Sequence, residues 1–320
     1  MRWARAIGAA GRSWSWWLAA ALLEFALALP AAVLWHDWLA GALGGRYEPA
    51  ELFANLSTSF RFDQRARLSE LGGATGAWLS LGALLAMLLG IFLAGGWAAL
   101  SFDGGTGAVL ARGGAGARRF FGRYLRVWLL TLVLLALWTW MLFDAPWRCV
   151  VHEWILRLPA GEGDRLENLV SEWSVVLVRG TQAVLYALGV ALVLCCADYA
   201  RLRVAWRDAR CVGWEYLAAL AMVVRRPWRT LAPLGALFAS EVLLVAGASV
   251  LARAIEGRLG RNQAGLESVF ALAGFTLCVL LLRCWLRGAR YQAAAEIVAS
   301  DVAPLSRPFL WRAGARAGAG

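Results

Sequence analysis

The sequence predicts an all-α membrane protein, a polytopic transmembrane helix bundle of about six spans with amphipathic helices at its interfaces. Three observations predict it. Apolar residues make up 61% of the 320 residues and the mean hydropathy is +0.59, whereas soluble domains hold roughly 45–50% apolar residues. These residues stand in long uncharged runs rather than short alternating stretches, the pattern of a chain whose solvent is lipid. The arginines gather between alternate runs, which defines an orientation across a bilayer.

Six runs approach the roughly 20 residues that cross about 30 Å of hydrocarbon, at about 14–35, 75–100, 127–143, 173–197, 230–252 and 266–285. The basic start followed by an apolar run resembles a signal peptide. The run beginning at Trp14 is longer than the 7–15 apolar residues of a signal core, so it is read as a retained first helix.

The loop after it, from His36 to Ala74, is predicted to hold a short amphipathic helix. Pro49 suits a first helical turn, with Glu48 and Glu51 near its positive end, and Leu52, Phe53, Leu56 and Phe60 recur at helical spacing. In the second run Gly82, Ala86, Gly90 and Ala94 recur every four residues, as do Ala183, Ala187, Ala191 and Cys195 in the fourth. Small residues on one face let helices approach closely in lipid, so both spans are expected at the centre of the bundle. The loop from Asp144 to Glu172 carries Pro146, Pro159 and several acids, and is expected to be solvated.

Between the fourth and fifth runs, about 199–226, lies the strongest amphipathic segment. Leu202, Trp206, Ala209, Gly213, Leu217, Leu220 and Val224 share one stripe, with Arg203, Arg207 and Arg210 beside it. Such a helix lies at the inner interface with its arginines reaching phosphates, and Pro227 ends it. The tail from about 302 to 320 is expected to be disordered.

All 32 basic residues are arginine, and the net charge is +11 with a pI near 10.2. Of these arginines, 21 fall on the side that holds both termini and the second and fourth loops, while Asp and Glu gather opposite. The positive-inside rule therefore places both termini in the cytoplasm. Anionic lipid accounts for the charge, and nucleic acid is not an expected partner. The abundance of arginine, glycine and tryptophan points to a bacterial genome rich in G and C. The expected location is thus a bacterial inner membrane, and the expected partners are the lipid bilayer and another membrane protein.

The six cysteines are divided between spans and opposite sides of the membrane, which is no disulfide framework. The two histidines open similar tetrapeptides, His36-Asp37-Trp38-Leu39 and His152-Glu153-Trp154-Ile155. Imidazoles and carboxylates are zinc ligands, but tryptophan beside polar residues is ordinary interfacial chemistry, and no metal is assigned. No GxxxxGK, GxSxG, CxxC or HExxH pattern is present. No catalytic residue and no cofactor are assigned, and the chain is not expected to be an enzyme.

Four polar residues remain as candidates. Glu24 and Glu241 fall near the middle of the first and fifth runs, where a carboxylate costs about 2.5–3.5 kcal/mol unless it faces protein, water or a partner charge. Each serves either a proton or cation path or, in its protonated form, a hydrogen bond to a neighbouring helix. Asp198 and Arg201, three residues apart at the inner end of the fourth run, are expected to pair on one face.

Four pieces in fixed order complete the reading. They are Phe92-Leu93-Ala94-Gly95-Gly96, Arg119-Phe120-Phe121-Gly122-Arg123-Tyr124, Asp198-Tyr199-Ala200-Arg201 and Arg225-Arg226-Pro227-Trp228-Arg229-Thr230-Leu231. Together the chain resembles an uncharacterised group of bacterial six-span inner-membrane proteins. The resemblance implies six helices and a cytoplasmic face built from the second and fourth loops. That group has no assigned activity, so the resemblance supplies no catalytic or binding residues. Two functions remain open: a non-enzymatic scaffold, assembly factor or accessory subunit, and a small-solute or ion transporter using the intramembrane carboxylates.

Overall fold

Every regular element of the computed structural model is helical among the residues it describes, 2–43, 65–102, 108–156, 172–259 and 266–303. In chain order these are α1 (Arg2–Gly11), α2 (Trp14–Leu43), α3 (Arg65–Phe102) and α4 (Val109–Phe143), then α5 (Glu172–Arg207), α6 (Val212–Arg225), α7 (Pro227–Leu259) and α8 (Leu266–Asp301). After α4 a short turn, Ala145–Trp147, leads into a π-helical segment, Arg148–Ile155. Asp144 caps this turn by accepting from the Ala145 amide at 2.9 Å, and Pro146 takes an early position where its missing N–H does no harm.

Four helical stretches are long and apolar enough to cross a membrane: Gly76–Phe102, Val109–Ile155, Trp173–Arg207 and Pro227–Ala254. They mark a membrane-embedded protein. Trp14–Pro30 is a shorter apolar helix, and α8 follows its apolar start with Arg283, Arg287 and Arg290. The amphipathic helix expected around Pro49 and the tail from residue 304 onward lie outside the described residues.

The chain divides into two compact units, one drawn from Met1–Arg119 and Ala232–Ala293, the other from Phe120–Leu231 and Ala294–Gly320. In the first, glycine and tryptophan set the packing. Trp16 of α2 fills a slot between α3 and α4, where a Cβ on Gly96 would lie 2.0 Å from its ring and one on Gly113 would lie 2.5 Å away. Next to it, a Cβ on Gly95 would stand 2.9 Å from the Ala117 Cα, so the two helices meet backbone to backbone. Trp97 lies against Gly288 of α8 in the same manner. Helix α1 packs Ala6 and Ala10 on Leu237, Ala289 and Ala293, flanked by Ile7, Trp285 and Leu286. The Trp285 indole donates to the Ile7 carbonyl at 3.1 Å.

The four-residue stripes of small side chains do not make these approaches. Cβ atoms on Gly82 and Gly90 would meet nothing within 4 Å, and Ala86, Ala183, Ala187 and Ala191 are exposed, while Ala94 is buried. Contact this close needs the absence of a Cβ on facing helices, and Gly95 and Gly116 supply it further along α3 and on α4.

In the second unit, tyrosines tie helices together through backbone carbonyls. Tyr124 donates to Arg201 at 2.8 Å, Tyr199 to Thr230 at 2.9 Å and Tyr216 to Val193 at 3.0 Å. The expected continuous helix over 199–226 is corrected here: α5 runs on to Arg207 and α6 starts afresh at Val212. Asp208 between them has φ 52°, the left-handed conformation that ends a helix. The turn resets the helical phase and splits the predicted stripe. Leu202 and Trp206 are buried on α5, whereas Leu217, Leu220 and Val224 lie on the exposed side of α6.

Candidate functional site

The strongest grouping of charge is in the first unit, where α2, α7 and α8 each bring polar residues to one place. Helix α8 contributes Arg283, Arg287 and Arg290, whose spacing of four and three residues puts them on one face. Helix α2 contributes Glu24 and α7 contributes Glu241. Arg287 Nη1 donates to Glu24 Oε1 at 2.6 Å, and its Nε stands 3.7 Å from Glu241 Oε1. Arg283 Nε holds that same Glu241 oxygen at 2.8 Å, while Arg290 Nη1 reaches Oε2 at 3.4 Å.

Arg287 therefore joins the two carboxylates that the sequence placed on separate spans. Their side chains are 18% and 11% exposed, deep enough for the charge partners to matter. Each carboxylate lies against arginine rather than against a neutral helix face. Lone buried charges in a bundle are expensive, and pairing with hydrogen-bonded opposite charge offsets the desolvation.

Asp198 and Arg201 stand together in the second unit, with Arg201 Nη1 donating to Asp198 Oδ1 at 2.9 Å. A second ion group lies one turn further along the same helix. Glu215 of α6, almost wholly buried, accepts from Arg203 Nε and Arg207 Nη1, each at 2.9 Å. Arg203 thus points inward, not to the side of an exposed stripe. Arg123 of α4 pairs with Asp208 at 2.5 Å, holding the left-handed turn from a third helix. Burial pushes the Tyr216 phenol on α6 up to about 12.

His152 is buried in the π-helical segment beside exposed Glu153, and the His36 side chain lies outside the described residues. Among the described residues, no group of three His, Cys, Asp or Glu side chains is placed to hold a metal ion.

The α8 arginines and Glu215 were missed in the sequence, and both had a signal there. Three arginines recur on one helical face across the end of the sixth apolar run, and Arg203, Arg207 and Glu215 follow at intervals of four and eight residues.

Known protein families, characterised proteins and solved structures yield no match to this chain. The geometry of its own side chains carries the functional argument.

Proposed function

We propose that the chain is a six-span bacterial inner-membrane protein with both termini cytoplasmic, acting as a non-enzymatic scaffold, assembly factor or accessory subunit. One observation carries this reading: both deep carboxylates are engaged by arginines, at 2.6 Å for Glu24 and 2.8 Å for Glu241. A carrier carboxylate must take and release its cargo, whereas these would first have to give up charge-assisted hydrogen bonds, the stronger kind. Their geometry suits holding α2, α7 and α8 together.

Helix α6 supports the interfacial part of the proposal. It connects two apolar stretches, Trp173–Arg207 and Pro227–Ala254, and so stays near the membrane surface. Its inner face is Val212, Glu215, Tyr216, Ala219 and Val223. Trp214, Leu217 and Val224 are exposed on the other side, with Arg210 and Arg225 at its ends, the composition of a helix seated at a headgroup boundary.

The transporter reading draws on the continuity of the cluster, since Arg287 links Glu24 to Glu241 in one polar chain. The two functions separate by purification in mild detergent at native expression, followed by mass spectrometry of what accompanies the protein. A stoichiometric membrane-protein partner supports the accessory role. A lone protein that moves a solute in vesicles, with flux abolished in Glu24→Gln and Glu241→Gln, overturns it in favour of transport.

A further inference from the structure

We propose that Arg283 and Arg287 bind the phosphate of an anionic phospholipid from the inner leaflet. The inference rests on the membrane reading above and extends it to a specific lipid site.

The donors come first. Arg283 uses its Nε for Glu241, and among the described residues its two Nη groups have no hydrogen-bond partner. Its side chain is 38% exposed, the most open of the three α8 arginines. Its surroundings are apolar: Leu282 next to it on α8, and Phe238, Val242 and Val245 on α7, are all exposed. Arg287 likewise commits Nη1 and Nε to the two carboxylates. Unmet guanidinium donors cannot be left in hydrocarbon, and a planar fork of N–H groups matches phosphate oxygens in pairs.

Depth is the second argument, and α1 supplies it independently. This helix carries Arg2 and Arg5, and it packs Ala6, Ile7 and Ala10 on the stretch of α8 from Trp285 to Ala293. A short arginine-bearing amphipathic helix belongs at the interface, and so does a tryptophan whose indole N–H meets a polar group, as Trp285 does with Ile7. Arg283 and Arg287 flank Trp285, which puts them at the inner headgroup level.

The test uses the full-length protein reconstituted with equal amounts of phosphatidylglycerol and phosphatidylcholine, released into mild detergent and weighed with its retained lipids by native mass spectrometry. Wild type should keep phosphatidylglycerol preferentially. Arg283→Gln should lose about fivefold of that preference, on the scale of one arginine–anionic lipid interaction, and Arg283→Lys should lose part of it. Glu24→Gln removes a negative charge beside Arg287 and should raise phosphatidylglycerol retention, a change opposite in sign that misfolding would not produce. Equal retention of both lipids by wild type, or an Arg283→Gln preference like that of wild type, overturns the lipid site. Protein found in the soluble fraction of the starting cells would instead overturn the membrane reading itself.

Discussion

Replacing Arg287 with methionine removes a side chain that touches both deep carboxylates while keeping apolar bulk. Two unit charges about 4 Å apart attract by about 4 kcal/mol at an effective dielectric of 20, and removing one member of a buried pair costs about 3–5 kcal/mol. Glu24 and Arg287 are 18% and 27% exposed, and that partial solvation reduces the expected loss to about 2–3 kcal/mol. In a chain of this size such a loss lowers the unfolding midpoint by about 3–4 °C. Thermal unfolding in mild detergent, followed by near-ultraviolet circular dichroism, reads the shift. The double variant Arg287→Met with Glu24→Gln should recover at least half of it, because the stranded charge is gone. A midpoint within about 1 °C of wild type for Arg287→Met, or a double variant as unstable as the sum of the singles, would refute the reasoning.

Three further predictions follow from the packing. Gly96→Ala places a methyl 2.0 Å from the Trp16 ring and should destabilise the protein by about 1–3 kcal/mol, with partial recovery in Gly96→Ala/Trp16→Leu; thermal midpoints measure both. Glu215→Gln weakens two charge-assisted hydrogen bonds at once, so hydrogen exchange over residues 208–225 should accelerate at least tenfold while the backbone of α3 keeps its protection. The Tyr216 phenol is raised by burial to about 12 from an ordinary 10, so the folded state favours its neutral form. The stability it contributes is complete below pH 10 and is lost as the pH rises from 10 towards 12. Wild type should therefore lose more stability than Tyr216→Phe in that window, and equal losses would remove Tyr216 from the account.

Much of the architecture was written in composition and spacing. Uncharged runs of sufficient length identify helices in lipid without any knowledge of neighbours, and the four helical stretches long and apolar enough to cross a membrane cover nearly all of the runs at 75–100, 127–143, 173–197 and 230–252. Glu24, Glu241, Asp198 and Arg201 stood out because charge is rare in or beside such runs. Their partners were less legible. Asp198 and Arg201 lie within one turn, whereas Glu24 and Arg287 are 263 residues apart, and no local pattern encodes which distant helices meet. The amphipathic segment failed for a different reason: a single left-handed residue, Asp208, breaks the phase on which a stripe is counted. Glycine was read for the right property at the wrong positions. A period of four finds faces along one helix, but the slot for Trp16 is assembled from Gly96 and Gly113 on two.

The two ion groups also differ in when they can close during synthesis. Arg203, Arg207 and Glu215 emerge within a dozen residues of one another, so their corner is complete before α7 is made. Glu24 on α2 has to wait for Arg287 on α8, 263 residues later. Until α8 is made, that carboxylate lacks the guanidinium that meets it at 2.6 Å. Only with α8 do the arginines that meet Glu24 and Glu241 enter the chain.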